Sequence, residues 1–135
     1  MLHERTEAEV KIANRQRGFA AREFIGSTSL FRLDFAQRRC ELGDGVLPHH
    51  WGKGLGREAV RLTLAFAFDR LGMRRIEAGV DPRNLASCRL LGRVGFRREG
   101  LLRERWHVRD ELQDSALHRL LAREFLPWVA ALPAI

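Results

Sequence analysis

The residues best placed to do chemistry lie in Trp51-Gly52-Lys53-Gly54-Leu55-Gly56-Arg57-Glu58-Ala59, where three glycines at alternate positions run into an apolar helix. Gly54 and Gly56 let backbone N–H groups approach a ligand with no Cβ in the way. The helix start adds unpaired amides and the positive end of its dipole. Successive amides of this kind form an anion nest, and Lys53 and Arg57 add charge at short range. The spacing predicts a phosphate cradle, with a tight, ligand-free loop as the alternative. It is not a Walker loop, because Lys53 is followed by Gly54 rather than Ser or Thr. Nor is it a dinucleotide turn, because Arg57 stands where the third glycine belongs.

The other reactive side chains give less. Cys40 and Cys88 are the two thiols, far apart and without C-x-x-C spacing, which indicates neither a disulfide framework nor a zinc site and fits a reducing compartment. The helical pattern turns Cys88 inward, with no histidine-based activation apparent, so core packing is predicted for it. The adjacent His49 and His50 point in different directions and lack a third ligand; no metal is expected.

The elements that must position these groups can be read in order. A capping box at Thr6 and Glu9, with Val10, Ala13, Ala20, Ala21 and Phe24 loosely at helical spacing, predicts an N-terminal helix from about Thr6 to Glu23. A hairpin follows: a strand from Phe24 to Leu33, a turn through Asp34–Arg39, and a strand near Cys40–Leu47 that Pro48 stops. Arg57 to Leu71 reads as a helix with Val60, Leu64, Ala67 and Leu71 on one face, widened by Leu62, Phe66 and Phe68 and closed by Gly72. Arg75–Val80 alternates as a short strand and Asp81-Pro82 leaves it abruptly. A helix capped by Asn84, with Leu85, Cys88 and Leu91 inward, ends at Gly92 and Gly95. A last hairpin runs from Phe96 to Val108, turns at Arg109-Asp110-Glu111 and returns through Gln113 to Leu120. This order is α/β, in a single domain over residues 1–135.

Hydrophobic residues at 45% and charged residues at 30% describe a globular chain. The net charge of +7 comes almost wholly from arginine, lysine occurring only at Lys11 and Lys53. Such a field favours anions, but the arginines are scattered and not gathered into one arm, so a solvated face is the reading and nucleic acid is not expected. No charged and apolar leader opens the chain, and the tail from Phe125 to Ile135 is too short to span a bilayer. A cytoplasmic protein without membrane contact is predicted.

Five landmarks fall in order: Glu41-Leu42-Gly43; Pro48-x-x-Trp51-Gly52-Lys53-Gly54-Leu55-Gly56-x-Glu58-Ala59; Arg75-Ile76-Glu77-Ala78; Asp81-Pro82-x-Asn84-x-x-Ser87; and Gly95-Phe96-Arg97-x-Glu99-Gly100. Together they resemble the GNAT superfamily of N-acetyltransferases and, through Trp51 at the head of the glycine loop, its ribosomal-protein-alanine acetyltransferase (RimJ/RimL type) branch. The resemblance implies a mixed, mostly antiparallel sheet flanked by helices, and acetyl-CoA as cosubstrate. In such a protein the amides of Gly52, Lys53, Gly54, Leu55, Gly56 and Arg57 hold the pyrophosphate, Asp44-Gly45-Val46 pair with the pantetheine arm, and Asn84 hydrogen-bonds that arm. Asn84 is equally a helix cap. Transfer to an amine needs a proton acceptor and a donor to the departing thiolate. The resemblance assigns Glu41 to the first role, against a cross-strand salt bridge to an arginine, and Ser87 to the second, against a stabiliser of the helix start. Many relatives use a tyrosine seven residues after the asparagine; that position is Leu91, and the chain has no tyrosine. Trp106 and His107, in the last hairpin, are implied on the acceptor side.

Relatives begin with a strand and a helix ahead of the element placed at Thr6, so those two are expected to be missing, leaving a sheet edge for a second copy to cover. The function predicted is acetyl transfer from acetyl-CoA to a primary amine, foremost a protein N-terminus and otherwise a small amine, by direct attack. Two rivals stand: an acyl-CoA-binding descendant without turnover, and a basic nucleic-acid-binding module, which leaves the ordered landmarks unexplained.

Overall fold

The computed structural model describes residues 8–14, 23–46 and 55–125. Thr6, Pro48, His49, His50, Trp51, Gly52, Lys53 and Gly54, with the expectations attached to them, lie outside these residues. Strands β1 (Ala8–Asn14), β2 (Glu23–Asp34) and β3 (Arg39–Val46) are followed by helix α1 (Leu55–Ala65), strand β4 (Arg75–Val80), helix α2 (Leu85–Arg93) and strands β5 (Arg97–Val108) and β6 (Glu111–Leu121). They build one six-stranded sheet in the order β1-β2-β3-β4-β6-β5, antiparallel except where β3 meets β4. The mixed, mostly antiparallel architecture that the resemblance implies is present.

The N-terminal helix predicted from about Thr6 to Glu23 is absent from the described part of that span. Ala8–Asn14 is a strand paired antiparallel with β2, Val10 opposite Thr28 and Ile12 opposite Gly26. Glu9-Val10-Lys11-Ile12 alternates polar and apolar, the two-residue period of a strand, and the β2 ladder rewards that period over a capping box that only local contacts support. Among the described residues the sheet's edges are β1 and β5.

Both helices cover the same face of the sheet, over a core that includes Leu30, Cys40, Leu42, Val60, Leu64, Ile76, Leu91 and Leu120. Helix α1 buries Ala59, Val60, Thr63 and Leu64, while Leu62 and Phe66, predicted to widen that face, are 40% and 41% exposed. At 3.6 residues per turn they fall on the far side. The helix continues through a π turn at Phe66–Arg70, where the Leu71 N–H donates to the Phe66 carbonyl at 3.1 Å. Gly72 closes it at φ +69°, a conformation that favours glycine. In the same way Leu85, predicted inward on α2, is 59% exposed, and Leu91 is the buried residue of that helix. Phe125 is fully buried, its ring centroid 5.2 Å from that of Phe68. Among the described residues no helix is long and apolar enough to cross a membrane.

Candidate active site

Strands β3 and β4 lie side by side for only three rungs, Arg39 with Arg75, Cys40 with Ile76 and Glu41 with Glu77. Beyond them, among the described residues, β3 continues to Val46 paired to β2 alone, and β4 to Val80 paired to β6 alone. The strands part there, around a cavity of about 250 Å³. Leu42, Ala78, Val80 and Leu91 give it apolar walls, Gly43, Gly79 and Asp81 its strand edges, and Asn84 and Ser87 a polar rim at the start of α2. Because half the backbone groups of a strand point to each neighbour, the β3 stretch past Glu41 presents amides and carbonyls towards the gap that β4 does not use.

Asn84 caps α2: its Oδ1 accepts the Ser87 N–H at 3.1 Å and its carbonyl accepts the Cys88 N–H at 3.1 Å. The cap and the place on the cavity therefore coexist in one residue. Ser87 is half-buried beside it. Asp81 is held below its ordinary carboxylate value of 3.8 by hydrogen bonds from the Arg83 guanidinium and N–H.

Glu41 is not among the residues that line the cavity. Cys40 and Leu42 point into the core, so strand alternation turns Glu41 to the opposite face of the sheet. There it pairs with Arg32, Nη1 to Oε1 at 3.0 Å, at the last rung before the strands separate. Trp106 and His107 do not line the cavity either; Trp106 is 46% exposed, with the Arg105 guanidinium 4.7 Å from its ring centroid. Cys88, predicted to pack in the core, is only half-buried. Cys40 is buried, and burial, with the charge of Glu41 second, pushes its thiol up to about 12. A thiol that stays protonated at neutral pH is no nucleophile.

Of the predicted cofactor residues, Asp44, Gly45 and Val46 end β3 along the open edge, Leu55 and Gly56 start α1, and Arg57 is exposed in its first turn. Their fit to a pantetheine-linked diphosphate rests on two features: an unpaired strand edge suits an amide-bearing arm, and a helix start suits a diphosphate. Sequence reasoning did not single out Gly79 as a lining residue. A Cβ there would come within 2.9 Å of Ser115 Oγ, and a lone glycine inside a strand pattern is the available signal of such an approach.

Residues 3–97 match the acetyltransferase (GNAT) domain family. Among curated proteins, an uncharacterized N-acetyltransferase p20 of Bacillus licheniformis is 38% identical over 103 residues, which are 76% of this chain and 58% of the relative. A probable N-acetyltransferase YjcK of Bacillus subtilis is 41% identical over 99 residues, 73% of this chain and 53% of its own. The chain thus spans a little over half the length of the curated relatives it matches. Among solved structures, a spermidine N-acetyltransferase from Vibrio cholerae, in complex with CoA and spermine, superposes with a TM-score of 0.80 at 25% identity, covering 89% of this chain and 68% of that one.

Proposed function

The chain belongs to the acetyltransferase (GNAT) family, and on that premise we propose that it transfers the acetyl group of acetyl-CoA directly to a primary amine. The observation that carries this reading is the parting of β3 and β4 after the Glu41–Glu77 rung, with Asn84 and Ser87 on the rim of the gap. When bound, acetyl-CoA supplies the acyl group as an activated thioester. The open edge at Asp44-Gly45-Val46 and the Asn84 carboxamide orient the arm, and the α1 start with Gly52, Lys53, Gly54, Leu55, Gly56 and Arg57 holds the charged end. Glu41 accepts the proton of the attacking amine, directly or through a water, and the Ser87 hydroxyl donates to the departing sulfur.

The acceptor we assign first is a protein N-terminal amine, from the ribosomal-protein-alanine branch that Trp51 and Ser87 resemble. A polyamine is the second reading, supported by the spermine-bound neighbour. We further assign a cytoplasmic location, consistent with two unpaired thiols, and a homodimer that covers a sheet edge; a monomeric mass at micromolar concentration overturns the dimer.

The test is incubation with acetyl-CoA, a peptide library and a set of small amines, read by mass spectrometry for the gain of one acetyl group. Calorimetric binding of acetyl-CoA without thiol release across the panel would point instead to a binder without turnover. Glu41→Gln and Ser87→Ala are each expected to lower kcat about 100-fold or more, the scale of general acid–base catalysis. An unchanged kcat removes that residue from the mechanism.

A further inference from the structure

Arg83 joins the cavity to the tip of the last hairpin. Its Nη2 donates to Asp81 Oδ2 at 2.8 Å and its Nε to Asp81 Oδ1 at 3.1 Å, while Nη1 donates to Glu111 Oε1 at 2.9 Å. Its backbone N–H donates to Asp81 Oδ1 at 2.9 Å. Asp81 lines the cavity. Glu111 opens β6 directly after a two-residue turn in which Arg109 and Asp110 have φ of 49° and 62°, the turn that matches strand twist.

The tip is set apart from the rest of the sheet. The β5–β6 ladder breaks between the Leu102–Ser115 and Trp106–Gln113 rungs, where Glu104 has φ 52° and its N–H donates to Asp114 Oδ1 at 2.8 Å. Beyond this bulge only three rungs remain, from Trp106–Gln113 to Val108–Glu111. Bulges re-aim the strand beyond them. Among the described residues, the Arg83–Glu111 pair is the ion pair that ties this tip to an element outside its own hairpin.

Its face follows from alternation. The Cβ that Gly79 lacks would meet Ser115 Oγ, so Ser115 stands on the sheet face of Gly79, opposite the helices; Glu111, four residues away, shares it. Val108 is opposite Glu111 and Trp106 opposite Gln113, so both lie on that face too, the face that carries Glu41. They are 43% and 46% exposed.

We propose that Arg83 is a positioning residue that clasps the hairpin tip to the Asp81 edge of the cavity, so that Trp106 and Val108 form an apolar wall on the acceptor side and favour a primary amine with an apolar neighbour. This rests on the transfer reading above. It assigns Arg83 no contact with acetyl-CoA and no step in catalysis.

The experiment compares the full chain with Arg83→Gln, Glu111→Gln and the double variant, using a peptide with an N-terminal leucine, spermidine, and acetyl-CoA. Expected is a threefold to fivefold rise, on the order of an exposed ion pair, in KM for the leucine peptide in each single variant, with kcat and the acetyl-CoA KM held. The spermidine KM stays fixed, and the double variant is no worse than either single one, as for two groups acting as one pair. Amide hydrogen exchange at residues 106–112 is expected to quicken in all three. Additive single effects, equal shifts for both amines, or unaltered exchange at the tip overturn the clasp. If the wild-type chain acetylates no amine, the transfer reading fails, and the exchange measurement still decides whether Arg83 holds the tip.

Discussion

The side-chain oxygen of Asn84 accepts the backbone N–H of Ser87 at 3.1 Å, so one hydrogen bond both starts α2 and fixes the spacing of two polar side chains on the cavity rim. Asn84→Ala removes the cap and is expected to cost about 1 kcal/mol in urea unfolding. It is also expected to weaken calorimetric binding of acetyl-CoA. Asn84→Ser keeps a capping oxygen but shortens the reach into the cavity. A serine variant with wild-type stability and wild-type affinity would reduce Asn84 to a cap.

Gly79 and Ser115 meet across β4 and β6. At 2.9 Å from Ser115 Oγ the missing Cβ would force that hydroxyl to turn aside, and Ser115 is 4% exposed, with little space to turn into. Gly79→Ala is expected to cost about 1–3 kcal/mol as an overpacked site. Gly79→Ala with Ser115→Ala should recover most of it. A single variant as stable as the wild type would show that the Ser115 hydroxyl turns aside at no cost.

Thr28 and Thr63, both fully buried, hydrogen-bond each other between β2 and α1. Thr63 Oγ1 donates to the Ala59 carbonyl at 2.9 Å, which leaves Thr28 as donor to Thr63. Thr63→Val orphans the Thr28 hydroxyl and is expected to cost about 1–3 kcal/mol, whereas the double valine variant removes both hydroxyls at similar volume and returns close to wild type. Equal losses in the single and double variants would mean that packing, not the buried hydroxyls, sets the stability.

Acid should loosen the far face of the sheet. Glu99 lies below its ordinary 4.5, first because Arg75 Nη2 donates to it at 2.6 Å and further because Arg119 Nε does so at 3.0 Å. A depressed carboxylate contributes stability that is present above its unfolded value and lost as pH falls through the folded one. The contribution is small, because Glu99 is 39% exposed and solvent screens it. Urea midpoints of the wild type and Glu99→Gln should therefore differ above about pH 5 and converge below pH 4.5. Parallel curves throughout would assign the acid sensitivity elsewhere.

Local chemistry made much of this fold legible. Arg75–Val80 is legible at both its ends, because alternation begins after the Gly72 stop and Asp81-Pro82 breaks the strand. The Arg109-Asp110 turn and the Asn84 cap were legible for the same reason: each is decided by a few neighbouring residues. What the sequence hid depends on partners far along the chain. Ala8–Asn14 is a strand because β2 lies beside it. The gap beyond Glu41 and Glu77 exists because two segments stop pairing, which no local pattern records. Arg83 carries no local signal, because its partner Glu111 lies 28 residues further along the chain.

The short seam between β3 and β4 has a thermodynamic consequence. The sheet divides into two three-stranded leaves joined by three rungs, and a guest paired with the free margin, as proposed above, would supply rungs that the described residues leave unmade. If acetyl-CoA is that guest, the stability of the folded chain should rise with the logarithm of its concentration once that exceeds the dissociation constant.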